Sequence, residues 1–298
     1  MKTMGILIRR NVKLFFKDKG LFFTSLITPM ILLVLYATFL GNVYRDSFFM
    51  SIPEGMTVSD QAMEGMVAGQ LFSSLLAVCC VTVAFCSNML MVQDKMTGAR
   101  KDMLITPVKP SALALSYYVS TLISTLLICV VATLMCMLYV ATQGWFLSAL
   151  DVGLIFVDVL LLVMFGTALS SLVNFFLSSQ GQISAVGTIV SSGYGFLCGA
   201  YMPISQFPEG LQKVIAFLPG TYGTSLLRRH TMRGSFLAME KEGIPSSVIK
   251  VMEDVVDCNL YFYDKPVEEW TMFVILGGSV VFLIGVYVLI HMLSQKRK

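Results

Sequence analysis

Six stretches of this chain, roughly 21–44, 67–92, 112–142, 150–177, 183–203 and 270–293, are almost continuously apolar. A helix rises ~1.5 Å per residue, so ~20 apolar residues cross the ~30 Å hydrocarbon core of a bilayer. In hydrocarbon every backbone N–H and C=O must be bonded within its own segment, which makes each stretch a helix. Composition agrees: of 298 residues 56% are hydrophobic and only 13% charged, against ~25% charged in a typical soluble domain. The expected fold is therefore an all-α integral membrane protein with six transmembrane helices. The first apolar run, Leu21–Leu40, exceeds the 7–15 residues of a signal-peptide core and is followed by no small-residue cleavage site, so it reads as a retained span.

Charge placement sets the expected orientation. With the N-terminus inside, segments 1–20, 93–111, 178–182 and 294–298 face the cytoplasm. They hold 13 Lys and Arg against three acids, Asp18, Asp94 and Asp102. The opposite segments, 45–66, 143–149 and 204–269, hold 8 basic and 13 acidic residues. Positive residues collect on the cytoplasmic side of membrane proteins, so both termini are expected in the cytoplasm of a multi-pass protein of the cell membrane. No basic run interleaved with aromatics points to nucleic acid.

Two non-spanning regions carry their own pattern. In residues 1–20, Met4, Ile8, Val12 and Phe15 share one helical face, flanked by Leu7 and Leu14. Lys2, Arg9, Arg10, Lys13 and Lys17 fill the opposite arc, with Ile6 as an exception. This reads as an interfacial amphipathic helix, with a basic tail as the plainer alternative. Segment 204–269 begins with apolar residues at helical spacing, Leu211, Val214, Ile215 and Leu218, after Pro208-Glu209. Pro219-Gly220 interrupts it before a second short helix, Thr221–Arg233. Two short apolar helices after a span predict a re-entrant outer helical hairpin between spans five and six. A polar cap completes 234–269, with Ser246–Cys258 as a possible helix in it.

Candidate chemistry is sparse. The phosphate-cradling pattern G-x-x-x-x-G-K-[ST] needs Gly-Lys, a dipeptide that never occurs, so no cofactor is expected on this chain. Asp151 and Asp158 are the two carboxylates inside a span. They lie seven residues apart on one face, Asp158 about 10 Å deeper. A mid-membrane carboxylate costs on the order of 3 kcal/mol, which leaves two readings for Asp158. It is either a polar site on a transport pathway or a packing residue bonded to a Ser, Thr or Tyr. His230 and His291 read as isolated, without a metal or nucleophile constellation. Of seven cysteines, Cys198 and Cys258 could pair on an oxidising side, with free thiols as the default. The twenty methionines serve either an adaptable apolar pathway or gap-filling between helices.

The charged loop after the second span, 93–110, is too long for a tight hairpin. Met96, Met103 and Leu104 add apolar anchors to its charges, as a short helix docking in a partner's groove requires. Its Asp94, Gly98, Leu104 and Pro107-Val108 resemble the first cytoplasmic loop of type 2 ABC exporter permeases. After the fifth span, Gly199, Met202-Pro203-Ile204, Phe207-Pro208, Leu211-Gln212, Pro219, Tyr222 and Arg228 resemble a second stretch of that family. Phe16-Lys17-Asp18 followed by Pro29 is a third match.

The resemblance implies a permease that exports an amphipathic substrate as a dimer, here a homodimer. Two separate ATP-binding subunits would hold ATP and Mg²⁺, and hydrolysis would lie outside this chain. It points to ATPase coupling by Asp94, Gly98, Leu104 and Pro107, and the charges of the same loop, Lys95, Arg100, Lys101 and Asp102, are candidates for the docking contact. The re-entrant hairpin falls to Pro203, Pro208, Pro219, Tyr222 and Arg228. The competing reading is a proton-coupled secondary transporter using Asp158.

Overall fold

The computed structural model of the chain describes residues 2–50, 52, 58–263 and 265–296. The basic C-terminal residues Arg297 and Lys298, used above for orientation, lie outside the described residues. The architecture is helical: α1 (Lys2–Lys17), α2 (Lys19–Leu35), α3 (Gly41–Met50), α4 (Asp60–Met96), α5 (Ala99–Ile105), α6 (Pro110–Gln143), α7 (Ala149–Phe176), α8 (Gln180–Leu197), α9 (Glu209–Ile215), α10 (Pro219–Lys241), α11 (Ser246–Val255) and α12 (Glu269–Lys296). One small antiparallel hairpin, β1 (Tyr261–Phe262) with β2 (Lys265–Pro266), pairs Tyr261 with Pro266.

Local chemistry fixes the helix starts. Asp18, Ser59, Ser148 and Ser179 each accept the N–H three residues on, at the heads of α2, α4, α7 and α8. At α7 the cap is reciprocal, because Asp151 accepts from the Ser148 N–H (3.0 Å) and hydroxyl (2.6 Å). Pro110 and Pro219 open α6 and α10, where a missing N–H costs nothing. A π-helical turn, Tyr36–Leu40, joins α2 to α3 and turns Tyr36 inward. There it stacks on Tyr44 and donates to the Ala200 carbonyl at 3.4 Å.

Five of the described helical segments are long and apolar enough to cross a bilayer: Lys19–Met50, Asp60–Met96, Pro110–Gln143, Ala149–Phe176 and Glu269–Leu293. The stretch expected at 183–203 is the shorter α8. Its Gln180, Gln182, serines and glycines keep it below the apolarity of the other five. The helix α4 is buried along nearly its whole length, as a helix apolar all round must be, with α2, α6, α7, α8 and α10 around it. The seven cysteines are all free, Cys198 and Cys258 included, and both of these are buried.

The region after α8 departs most from expectation. In place of a short second helix ending near Arg233, α10 runs 23 residues and packs among α4, α7 and α12. It is polar in composition yet buried over most of its length, because its polar groups find partners on other helices. The helices α4 and α10 approach closely at Gly65 and Gly69, spaced as in the small-residue motif of membrane helix pairs. A β-carbon on Gly69 would sit 2.9 Å from the Thr231 carbonyl oxygen, and Thr231 Oγ1 donates to the Gly69 carbonyl at 3.1 Å. Gly69→Ala is expected to cost about 1–3 kcal/mol by overpacking a backbone contact. Gly210→Ala, with open space around it, should leave thermal unfolding of the detergent-purified protein unchanged.

Candidate functional site

Polar chemistry concentrates at two places, one at each end of the bundle. At the end that carries α1 and α5, the centre is Asp94. The helix α4 continues to Met96, so Asp94 is a helical residue only 4% exposed rather than a loop residue. Arg10 of α1 clasps it with both guanidinium nitrogens, at 2.7 and 2.8 Å, and the Tyr117 hydroxyl of α6 donates to Asp94 Oδ2 at 2.7 Å. This two-nitrogen clasp is the strong form of an ion pair. The apolar face of α1 turns toward α6, with Phe15 and Asn11 buried.

The next residue, Lys95, ties α4 to another helix. Its ammonium donates to the carbonyls of Asn174 (3.2 Å), Phe175 and Leu177 (3.0 Å), capping the C-terminus of α7 where a cation is favoured. Lys95 and Arg100 also stand over the Phe175 ring, at 5.1 and 5.6 Å from its centroid. Gly98, at φ +85°, makes the left-handed turn that starts α5. Met103, Leu104 and Val108 pack inward on Leu113, Tyr117 and Tyr287, with Leu7 of α1 alongside.

The eight residues assigned to coupling thus divide. Asp94, Lys95 and Arg100 serve contacts inside the chain, Leu104 packs inward and Gly98 shapes the turn. Lys101, Asp102 and Pro107 face outward. With them stand Met96, 45% exposed, and Ile105, 85% exposed. Ile105 was not among the candidates. Its signal was present in the sequence as an apolar residue between a charged pair and a proline.

At the other end, α10 carries consecutive paired residues. Arg228, almost wholly buried, forms an ion pair with Asp257 at 3.1 Å and donates to the Gly199 carbonyl. Asp257 also accepts the Ile204 N–H at 2.6 Å. Arg228 therefore holds together the end of α8, the turn after it and the loop after α11. Burial alone would disfavour its charge, but Asp257 raises the guanidinium further above its ordinary value. Pro203 precedes this turn, Pro208 precedes α9, and the Tyr222 hydroxyl donates to the Ala216 carbonyl at 2.6 Å.

Two residues along α10, His230 is not isolated. Its Nδ1 lies 2.5 Å from Asp158 Oδ2, and its Nε2 lies 3.3 Å from Glu269 Oε1. Asp158 thus has an imidazole as its partner, not the hydroxyl that packing alone suggested. The pairing joins residues 72 positions apart, which no local pattern encodes. Arg233 Nε stands 3.5 Å from Asp151. Among the described residues no cluster of three or more His, Cys, Asp or Glu is arranged to hold a metal ion.

A groove of about 490 Å³ runs between α2, α4 and α6, lined by Leu26, Pro29, Leu75, Ile128 and Met135. Near the β-hairpin a more polar cavity of about 590 Å³ is lined by Gln212, Lys213, Tyr222, Asp254 and Tyr261.

The family model for the ABC-2 type transporter matches residues 3–230, more than three quarters of the chain. The chain belongs to the ABC-2 type transporter family. It is accordingly an ABC transporter permease, a membrane subunit of a kind that associates with ABC ATP-binding subunits. The matched span of this ABC-2 chain takes in both polar centres up to His230 and leaves α11, the β-hairpin and α12 beyond it. No curated protein matches the chain.

Proposed function

We propose that this permease exports an amphipathic substrate as a homodimer, driven by two ATP-binding subunits that seat on the face formed by α1 and α5. The observation that carries this reading is the anchoring of α5. Through Asp94, Lys95 and the inward side chains of Met103 and Leu104, the segment 93–108 is fastened to α1, α6 and α7 at once. It presents outward only a small mixed patch around Lys101, Asp102 and Ile105. A push on that patch moves several helices together, which is what an ATP-driven subunit needs from the surface it grips.

The charge asymmetry of the sequence supports a cytoplasmic α1–α5 face and both termini inside. That parity requires α8 as a sixth span, and its 18 residues cover about 27 Å, close to the hydrocarbon thickness. In this topology α9 and the start of α10 form the re-entrant outer hairpin, its polar groups paired by Arg228 and Tyr222. The exposed apolar face of α2, with Phe23, Ile27 and Met30, supplies the surface for a second subunit. The groove beside it offers the substrate an apolar surface. Membership of the ABC-2 family favours ATP over a proton gradient as the energy source.

The test is purification of the tagged permease from its native membrane. The expected result is a co-purifying soluble chain with a G-x-x-x-x-G-K-[ST] loop, and vectorial transport in vesicles that requires it. Transport by the purified permease alone would contradict the reading.

A further inference from the structure

The imidazole of His230 has carboxylate oxygens at both ring nitrogens: Asp158 Oδ2 of α7 at Nδ1, 2.5 Å, and Glu269 Oε1 of α12 at Nε2, 3.3 Å. A neutral imidazole carries one N–H and one lone pair, so one of its nitrogens would face a carboxylate lone pair. Relieving that clash adds one proton to the cluster, either on the ring or on a carboxyl group. Placed on the ring, the proton satisfies both contacts and sits between two anions. Asp158 and His230 are fully buried, whereas the Glu269 side chain is 41% exposed, so the cluster runs from the bundle interior to solvent.

We infer that Asp158, His230 and Glu269 form a proton-binding latch that pins α10 to α7 and α12 at neutral pH. The latch exchanges its proton with solvent through Glu269. It stands apart from energy coupling: its ligand is a proton that regulates packing, and ATP remains the driving force.

The surroundings leave the imidazole to these two carboxylates. From α7 the titratable group facing it is Asp158, and from α12 it is Glu269. Among the described residues, no charged side chain of α4 or α11 is hydrogen-bonded or ion-paired to it. On its own helix, Arg229 turns to Glu269, with its guanidinium 3.9 Å from Oε2, and Arg228 turns away to Asp257. The Phe273 ring of α12 covers one face of the imidazole at 6.2 Å. Burial by itself disfavours the charged ring, but the hydrogen bonds and charges of Asp158 and Glu269 outweigh it and raise His230 above its ordinary value. A raised folded value contributes stability that is complete below the unfolded value of ~6.5. That stability is lost as pH rises through the folded value. With both carboxylates ionised, the latch is therefore closed near neutral pH and opens in alkali.

The chain contains two histidines, so nitrogen-15 labelling of histidine gives a two-site spectrum. His291→Gln assigns the signals. In the full-length permease in lipid nanodiscs, both His230 nitrogens should carry protons at neutral pH, above the ordinary value of ~6.5. In Glu269→Gln, which alters only the solvent-side partner, half-titration should move down by about half a unit or more. A neutral His230 with a single protonated nitrogen at that pH would overturn the latch. So would a titration unmoved by Glu269→Gln.

Discussion

Asp94→Lys is expected to abolish ATP-driven transport and to destabilise the protein by about 3–5 kcal/mol, the cost of breaking a buried charge pair and leaving its partner uncompensated. The carboxylate is clasped by Arg10 and bonded by Tyr117, so the substitution sets an ammonium against a guanidinium at the meeting point of α1, α4 and α6. The loss should show as a lowered thermal midpoint in detergent and as freer proteolysis of α1. Asp94→Asn, which keeps a hydrogen-bond acceptor, should cost about 1–3 kcal/mol. An Asp94→Lys protein as stable as the wild type would mean that Asp94 does not hold this junction.

Ile105→Asp should leave stability within about 0.5 kcal/mol and still reduce transport at least tenfold. The side chain is 85% exposed, so the fold does not depend on it. An apolar side chain at the centre of a charged patch has the character of an anchor for a partner's pocket, and such anchors carry most of the binding energy of an interface. The contrast between the two variants is diagnostic. Asp94 positions the docking element from within, while Ile105, with Lys101 and Asp102, would touch the ATP-binding subunit. Thermal stability separates the two variants, while transport and ATPase stimulation of the reconstituted complex measure the loss they share. Full activity of Ile105→Asp would remove Ile105 from the interface.

Much of the scaffold was legible in the sequence because lipid imposes a one-dimensional rule: a span must be long and apolar, and α2, α4, α6, α7 and α12 obey it. The rule weakens for α8, whose glutamines and serines dilute the signal. It fails for α10, which is buried although Arg228, Arg229 and His230 sit in its middle. Burial there depends on partners at Asp257 and Asp158, and only the folded chain brings those together. Asp94 was misjudged for a related reason. Charge in an apparent loop suggests a surface contact, but α4 extends through it and its partner lies 84 residues upstream. The Gly65 and Gly69 spacing, which marks a close helix contact, stood in the sequence but was not read there.

The most direct test of the coupling account places one cysteine at Ile105. The seven native cysteines are buried, apart from the half-buried Cys86, so a membrane-impermeant thiol reagent should find the new one first. The account predicts that Ile105→Cys is labelled in inside-out vesicles stripped of peripheral subunits and spared in intact cells. Labelling should be suppressed when the ATP-binding subunits are added back. Labelling of intact cells, or labelling indifferent to those subunits, would contradict it.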